Sequence, residues 1–205
     1  MVHNPGGVLE PPPGLAFRGA WPTHGSRRLT RCATVARVTG PVGYVCRCCG
    51  ERHEGLPFSY GVDAPAFWRE EFADDPRSML SDEQCVIHAE HFFIRARIII
   101  PVLDAATEFD WGVWVSLSRT NFERALNLWT TEGRESEPPY FGWLSTALPY
   151  EPTTVSLKTH VHTQPVGTRP LVELEHTNHP LAVEQHHGIT LARVQEIAEL
   201  MAHPA

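Results

Sequence analysis

Two stretches of regularly alternating residues constrain the fold of this chain more than any other feature. Between Phe93 and Ile100 every even-numbered position is isoleucine or alanine, and between Phe109 and Ser118 every odd-numbered position is a large apolar residue. Because residues two apart share a face of an extended strand, each stretch is a predicted β-strand with one buried face. Only a short segment, Asp104–Glu108, connects them, so we expect the two strands to form an antiparallel hairpin.

Further strands and helices follow from local patterns. Residues 154–163 alternate in the same way, and residues 141–148 and 171–176 are shorter strand candidates. A short helix is predicted after Asp63, a second helix after the capping box Thr120–Glu123, and a last one from Leu191, capped by Thr190. This order predicts an α+β fold in which two or three helices flank a mainly antiparallel sheet.

The chain divides into two parts of different composition. Residues 1–44 contain Gly6-Gly7, the run Pro11-Pro12-Pro13 and five arginines against one acidic residue. They show neither helical nor strand periodicity, so we interpret them as a flexible tail. Residues 45–205 are predicted to form a single α+β domain that opens with a cysteine-containing turn.

Composition argues against several function classes. The formal net charge of −7 is unfavourable for a protein whose main partner is a nucleic acid. No apolar run approaches the roughly 20 residues that a membrane-spanning helix needs, and the first 30 residues lack the apolar region of a secretory signal. We therefore expect a cytoplasmic protein with neither a nucleic acid nor a membrane as partner.

The turn Cys46-Arg47-Cys48-Cys49-Gly50 predicts a zinc-knuckle-like metal site. A Cys-x-x-Cys turn aims two sulfurs at one ion, and the glycine after it allows the positive φ that such turns need. His53 is the expected third ligand. Cys85 is the expected fourth because other cysteines are scarce, and His91 is the alternative to it. The resulting site would hold a structural zinc ion. The alternatives are a pair of reduced buried thiols and a redox Cys-x-x-Cys pair.

A second set of residues, rich in histidine, supports a different hypothesis. His160 and His162 occupy one face of a predicted strand, where side chains two apart project in parallel. Together with His91 and with Glu90 or Glu173 they could bind a divalent ion that keeps open positions, as in a metal-dependent hydrolase. The alternative is an ordinary solvated strand face.

Long words of the sequence carry a resemblance to a known family. They are residues 46–61 (CRCCGERHEGLPFSYG), 82–101 (DEQCVIHAEHFFIRARIIIP), 109–122 (FDWGVWVSLSRTNF), 138–148 (PPYFGWLSTAL), 157–170 (LKTHVHTQPVGTRP) and 179–188 (HPLAVEQHHG). From about Val45 onward the chain resembles the bacterial domain of unknown function family 2199. The resemblance implies a compact bacterial domain that opens with the Cys-x-x-Cys-Gly turn, and it implies no particular activity.

Together these observations favour a binding or regulatory module with a structural zinc site over an enzyme. The expected partner is another protein. The competing hypothesis is the metal-dependent hydrolase that uses the downstream histidines.

Overall fold

The computed structural model describes residues 34–35 and 43–203 of the chain. Two short 3₁₀ helices, Glu70–Asp74 and Arg134–Ser136, join the regular elements. In chain order those elements are β1 (Thr34–Val35), β2 (Tyr44–Val45), β3 (Arg52–His53), β4 (Ser59–Gly61), β5 (Met79–Leu80), β6 (Gln84–Ile87), β7 (His91–Pro101), β8 (Glu108–Leu117), α1 (Arg119–Asn127), β9 (Tyr140–Leu144), β10 (Lys158–His162), β11 (Leu171–Leu174), α2 (Pro180–His187) and α3 (Leu191–Ala202).

The predicted hairpin is confirmed and forms the centre of the fold. Strands β7 and β8 pair antiparallel along their whole length, from Phe92 opposite Leu117 to Pro101 opposite Glu108. As the alternation predicts, Ala96, Ile98 and Ile100 are completely buried. The mainly antiparallel character of the sheet follows from this hairpin and from the β8–β9, β9–β10 and β10–β11 pairings, which are all antiparallel.

The sheet closes on itself, which the sequence pattern did not predict. Strand β11 returns to β7 and pairs with it in parallel at Leu171 and Arg97, so β7 to β11 form a closed five-stranded barrel. Strands β6 and β5 extend the sheet from the first half of β7, and β4 and β1 extend it from the first half of β8. Closure removes most of the unpaired strand edge that an open sheet would leave exposed.

Two apolar clusters lie on opposite sides of the β7–β8 hairpin. The larger fills the barrel, and its members include Ile98, Trp111, Val113, Val161 and Leu174. The smaller consists of Cys85, Ile87, Phe93 and Trp114, against which Val62, Trp68, Phe72 and Leu80 pack. The segment before β6 therefore covers the outer side of the hairpin, and this explains why Phe93 and Trp114 are buried although they point away from the barrel.

The helices agree with the sequence only in part. Helix α3 begins after Thr190, whose hydroxyl accepts a hydrogen bond from the Arg193 N–H, as predicted. Helix α1 is capped by Ser118 and not by Thr120, because the Ser118 hydroxyl at the end of β8 accepts the Asn121 N–H. The predicted helix after Asp63 is reduced to the 3₁₀ turn Glu70–Asp74.

Helix α2 was missed. Its sequence signal is nonetheless present, because Pro180 occupies its first turn and Gly188 follows its last residue. His179 caps this helix through its ring, which accepts a hydrogen bond from the Leu181 N–H.

The predicted flexible tail, residues 1–44, lies outside the described residues except at 34–35 and 43–44, and it stays a prediction. Within the described part of the chain, each helix is too short or too polar to cross a membrane.

Candidate metal centre

The cysteine turn is held by a small two-stranded ladder of its own. Strands β2 and β3 pair antiparallel, with Tyr44 opposite His53, and the Cys46 N–H donates to the Glu51 carbonyl at 2.9 Å. The Gly50 N–H donates back to the Cys46 carbonyl at 2.9 Å, and Gly50 has a φ of 74°. The turn therefore uses the positive φ that glycine adopts without a steric cost, as the sequence predicted.

Four metal-ligating side chains converge beside this turn. One ligand atom from each of Cys46, Cys49, His53 and His203 lies within 4.8 Å of the others. Within the group, the Cys49 Sγ is 3.6 Å from the His53 Nε2. Two thiols and two imidazoles at this spacing are within reach of a single ion, since Zn–S and Zn–N bonds are about 2.0–2.3 Å long.

The environment of Cys46 favours its thiolate. Burial raises the pKa of this thiol, but hydrogen bonds from the backbone N–H groups of Cys49 and Cys48 and contacts with the Cys49 and His203 side chains lower it more, to about 7. The Cys48 N–H lies 3.4 Å from the Cys46 Sγ. The side chain of Cys48 is exposed and is not a member of the group. A thiolate is the form of cysteine that binds metals.

Aromatic contacts orient the two imidazoles. The Tyr44 ring stacks on His53 with a centroid distance of 5.1 Å, and the His203 ring meets His53 edge-on at 6.4 Å. Cys46 is buried, His53 is half-buried, and Cys49 and His203 are exposed. The group is therefore a surface site with one buried ligand.

Helix α3 is joined to the turn by several hydrogen bonds besides the His203 contact. The Glu199 carboxylate accepts the backbone N–H and the Nε–H of Arg47, each at 2.9 Å. The Gln195 side-chain amide donates to the Val45 carbonyl at 3.2 Å. Arg47 also lies 3.6 Å from Glu196. The group thus connects the start of the folded region to its last helix.

The predicted fourth ligand, Cys85, is not a member of this group. It lies on β6 in the smaller apolar cluster with Ile87, Phe93 and Trp114, and it is completely buried. Burial raises the pKa of its thiol to about 12, which disfavours the metal-binding thiolate. The structure places His203 where Cys85 was expected.

The predicted second site is also not assembled in the structure. His162 pairs with Glu173 at 2.9 Å, and His160 approaches Glu175 at 4.0 Å on the outer face of β10. Glu90 lies in the turn between β6 and β7, and His91 is the first residue of β7. Over residues 34–35 and 43–203, the Cys46 group is the one set of three or more such side chains close enough to share an ion.

Sequence reasoning missed His203 because no local pattern indicates it. It follows α3, about 150 positions after the cysteine turn, and only the tertiary fold brings the two together. The chain belongs to the DUF2199 family of uncharacterized proteins conserved in bacteria, which matches residues 45–189. The match includes Cys46, Cys49 and His53 and ends before His203. No curated protein and no solved structure matches the chain.

Proposed function

We propose that this member of the DUF2199 family binds one zinc ion through Cys46, Cys49, His53 and His203. The observation that carries the proposal is the convergence of these four ligand atoms within 4.8 Å. Three of the four are the ligands that the cysteine turn predicts from its spacing alone. The lowered pKa of Cys46 supports the same proposal, because a thiolate near neutral pH binds a metal with little competition from protons.

Zinc is the metal that the donor set favours. Two thiolates and two imidazoles form the Cys₂His₂ combination that is typical of tetrahedral structural zinc sites. Calcium and magnesium prefer oxygen ligands, and the group offers none. Four protein ligands would also leave no open position for a substrate, so we assign the ion a structural role in which it cross-links the turn to the end of α3.

We further propose that the protein acts by binding another protein, in a regulatory role, and not by catalysis. The surface that supports this is the aromatic pair Phe141 and Trp143 on β9, each 42% exposed and in edge-to-face contact at 5.3 Å. Exposed aromatic side chains that lie together are enriched at protein interfaces. The proposed location is the cytoplasm, where a reducing environment would keep Cys46 and Cys49 available as thiols.

Metal content tests the zinc proposal directly. We expect protein purified under reducing conditions to contain one zinc per chain, measured by elemental analysis and by release to a chromogenic chelator. The variants Cys46→Ser and Cys49→Ser should lose the metal. Cys48→Ser is the matched control, because it changes a thiol in the same turn that is not in the group, and it should retain one zinc. Wild-type protein without a bound transition metal would refute the proposal.

Partner capture tests the binding role separately. A protein that co-purifies with the wild type in stoichiometric amounts should be lost with the variant Phe141→Ser/Trp143→Ser, while zinc content and the circular dichroism spectrum stay unchanged. The control Val166→Ser alters an exposed apolar residue in the loop after β10, outside the aromatic pair. Equal capture by the wild type and the aromatic variant would exclude this surface.

A further inference from the structure

The Glu199 carboxylate is buried beside the metal group, which is unusual for a charged side chain. Glu199 lies in the last turn of α3 and is only 5% exposed. Buried carboxylates are rare unless they are paired and hydrogen-bonded, since removing a charge from water is costly. Its hydrogen bonds therefore show how the cost of burying this charge is offset.

Three hydrogen bonds offset the cost of burying the Glu199 carboxylate. Two come from Arg47, through its backbone N–H and its Nε–H, and the third comes from the Gln195 side-chain amide, all at 2.9 Å. The Gln195 amide, the Arg47 backbone and the Arg47 side chain lower the pKa of Glu199, although burial acts in the opposite direction. Glu199 is therefore an ionised acceptor whose partners are α3 and the cysteine turn.

The position of Arg47 makes these bonds relevant to the metal. Arg47 lies inside the Cys-x-x-Cys turn, directly after Cys46. Its backbone N–H is bound by Glu199, whereas the next N–H, that of Cys48, points at the Cys46 sulfur. Glu199 thus holds the backbone between the two metal-ligating cysteines.

The position of Glu199 on the helix relates it to His203. The two residues are four apart, and the His203 N–H donates to the Glu199 carbonyl at 3.0 Å. His203 is the C-cap residue directly after α3, and its ring lies with Cys46, Cys49 and His53 in the metal group. The end of α3 that binds Arg47 therefore also carries His203 to that group.

We propose that Glu199 is the positioning residue that brings His203 to the metal group, through its bonds to Arg47. This inference rests on the proposed zinc binding. Outer partners that orient metal ligands typically change metal affinity by 10–100-fold when they are altered. Among the described residues the Glu199 carboxylate bonds Arg47 and Gln195 and no ligand side chain, while its backbone carbonyl accepts the His203 N–H, so its effect on the site should pass through His203.

A double-mutant cycle on zinc affinity tests the inference. Affinities are measured by chelator competition for the wild-type protein, Glu199→Gln, His203→Ala and the double variant. We expect Glu199→Gln to weaken binding by about 10–100-fold. If Glu199 acts through His203, the double variant should bind zinc as His203→Ala does, within about threefold, because the two losses are then not additive.

Glu196→Gln is the matched control. Glu196 is on the same helix and its carboxylate also approaches Arg47, at 3.6 Å, but its side chain is 45% exposed. We expect this variant to change zinc affinity less than about threefold, as is usual for an exposed ion pair. If Glu199→Gln does not fold, Arg47→Met removes the same side-chain bond from an exposed residue and should also weaken binding.

Two results would overturn the inference while leaving the zinc site intact. The first is equal affinity of the wild type and Glu199→Gln. The second is a loss from Glu199→Gln that recurs in full when His203 is alanine, which would mean that Glu199 acts on the cysteine turn alone. A wild type that binds no metal would refute the proposed function itself, and this outcome is distinct from both.

Discussion

Glu199 and Arg47 are 152 positions apart in the chain, yet the carboxylate of one accepts two hydrogen bonds from the other. One of these bonds is to the backbone of the cysteine turn, so the contact fixes the main chain as well as a side chain. The candidate metal group lies beside the same contact. The turn and the end of α3 are therefore joined twice, once by hydrogen bonds and once by potential metal ligands.

Removal of the metal should loosen these two segments before the barrel. We expect chelation to increase amide hydrogen exchange at residues 44–53 and in the last turns of α3, because these segments would lose a cross-link. Exchange in β7 and β8 should change little, since their hydrogen bonds lie in the barrel. Hydrogen exchange measured by mass spectrometry, with and without chelator, resolves the regions.

Zinc binding should also raise the free energy of unfolding. Zinc in hundredfold excess over its dissociation constant should add about 2.7 kcal/mol to the free energy of unfolding. Cys48→Ser should show the same shift, and Cys49→Ser should show none. In the hydrogen-exchange experiment, uniform changes throughout the chain, or no change at residues 44–53, would contradict the prediction that the metal holds these segments.

Stability should depend on pH through Asp75. Hydrogen bonds from the Arg77 side chain and backbone and from His88, whose Nδ1 is 2.5 Å from the carboxylate, hold the pKa of Asp75 well below its usual range. The ionised form is thus favoured in the folded state. Its contribution is complete above the unfolded pKa of about 3.9 and is lost as the pH falls through the lower folded pKa.

Asp75→Asn should therefore lower the melting temperature at pH 7. The difference from the wild type should narrow steadily as the pH is lowered below about 4. Thermal melts across this range provide the measurement, and Asp74→Asn, at the exposed neighbouring position, is the control without an expected effect. If the difference in melting temperature widened in acid, ionised Asp75 would not be the form that stabilises the folded state.

The fold was predictable where its determinants are local. The β7–β8 hairpin follows from alternation and a short connection, and the Thr190 cap follows from residue type. Closure of the barrel was not predictable, because it depends on a single long-range pairing of Leu171 with Arg97. No periodicity in either strand specifies that partner.

The candidate site divides in the same way. Cys46, Cys49 and His53 lie within eight positions and one turn brings them together. The fourth ligand depends on tertiary structure, and a choice based on the scarcity of cysteine led to Cys85. Its place on β6 faces an apolar cluster, so a buried thiol fulfils a packing role there.

The stability of the barrel where β11 meets β7, its seam, should depend on Gln185. Its side-chain amide donates to the Val172 carbonyl at 2.6 Å and accepts the Leu174 N–H at 2.8 Å, and so replaces a neighbouring strand along β11. Gln185→Leu would leave these backbone groups of two buried residues without partners, at a cost of about 1–3 kcal/mol each. Urea unfolding measures the loss.

Gln164→Leu is the control for that experiment. Within the described residues, the Gln164 side chain bonds only the nearby carbonyls of His162 and Thr163, in a segment after β10. We expect it to change the free energy of unfolding by less than about 0.5 kcal/mol. Equal effects of the two variants would show that the seam does not depend on the Gln185 amide.

Gly142 should be the position on β9 that is least tolerant of a side chain. A Cβ at this position would lie 2.6 Å from the Ser116 carbonyl oxygen and 2.6 Å from the Val115 Cγ1, so the approach of β9 to β8 requires glycine. Gly142→Ala should therefore destabilise the protein by about 1–3 kcal/mol, the usual cost of overpacking. Val166→Ala, an exposed change in a loop, should cost less than about 0.5 kcal/mol. β9 is a barrel strand, whereas the metal group is formed by the cysteine turn and His203 after α3. Gly142→Ala should therefore lower the urea midpoint without changing the zinc content. A loss of zinc from the folded variant would contradict this expectation.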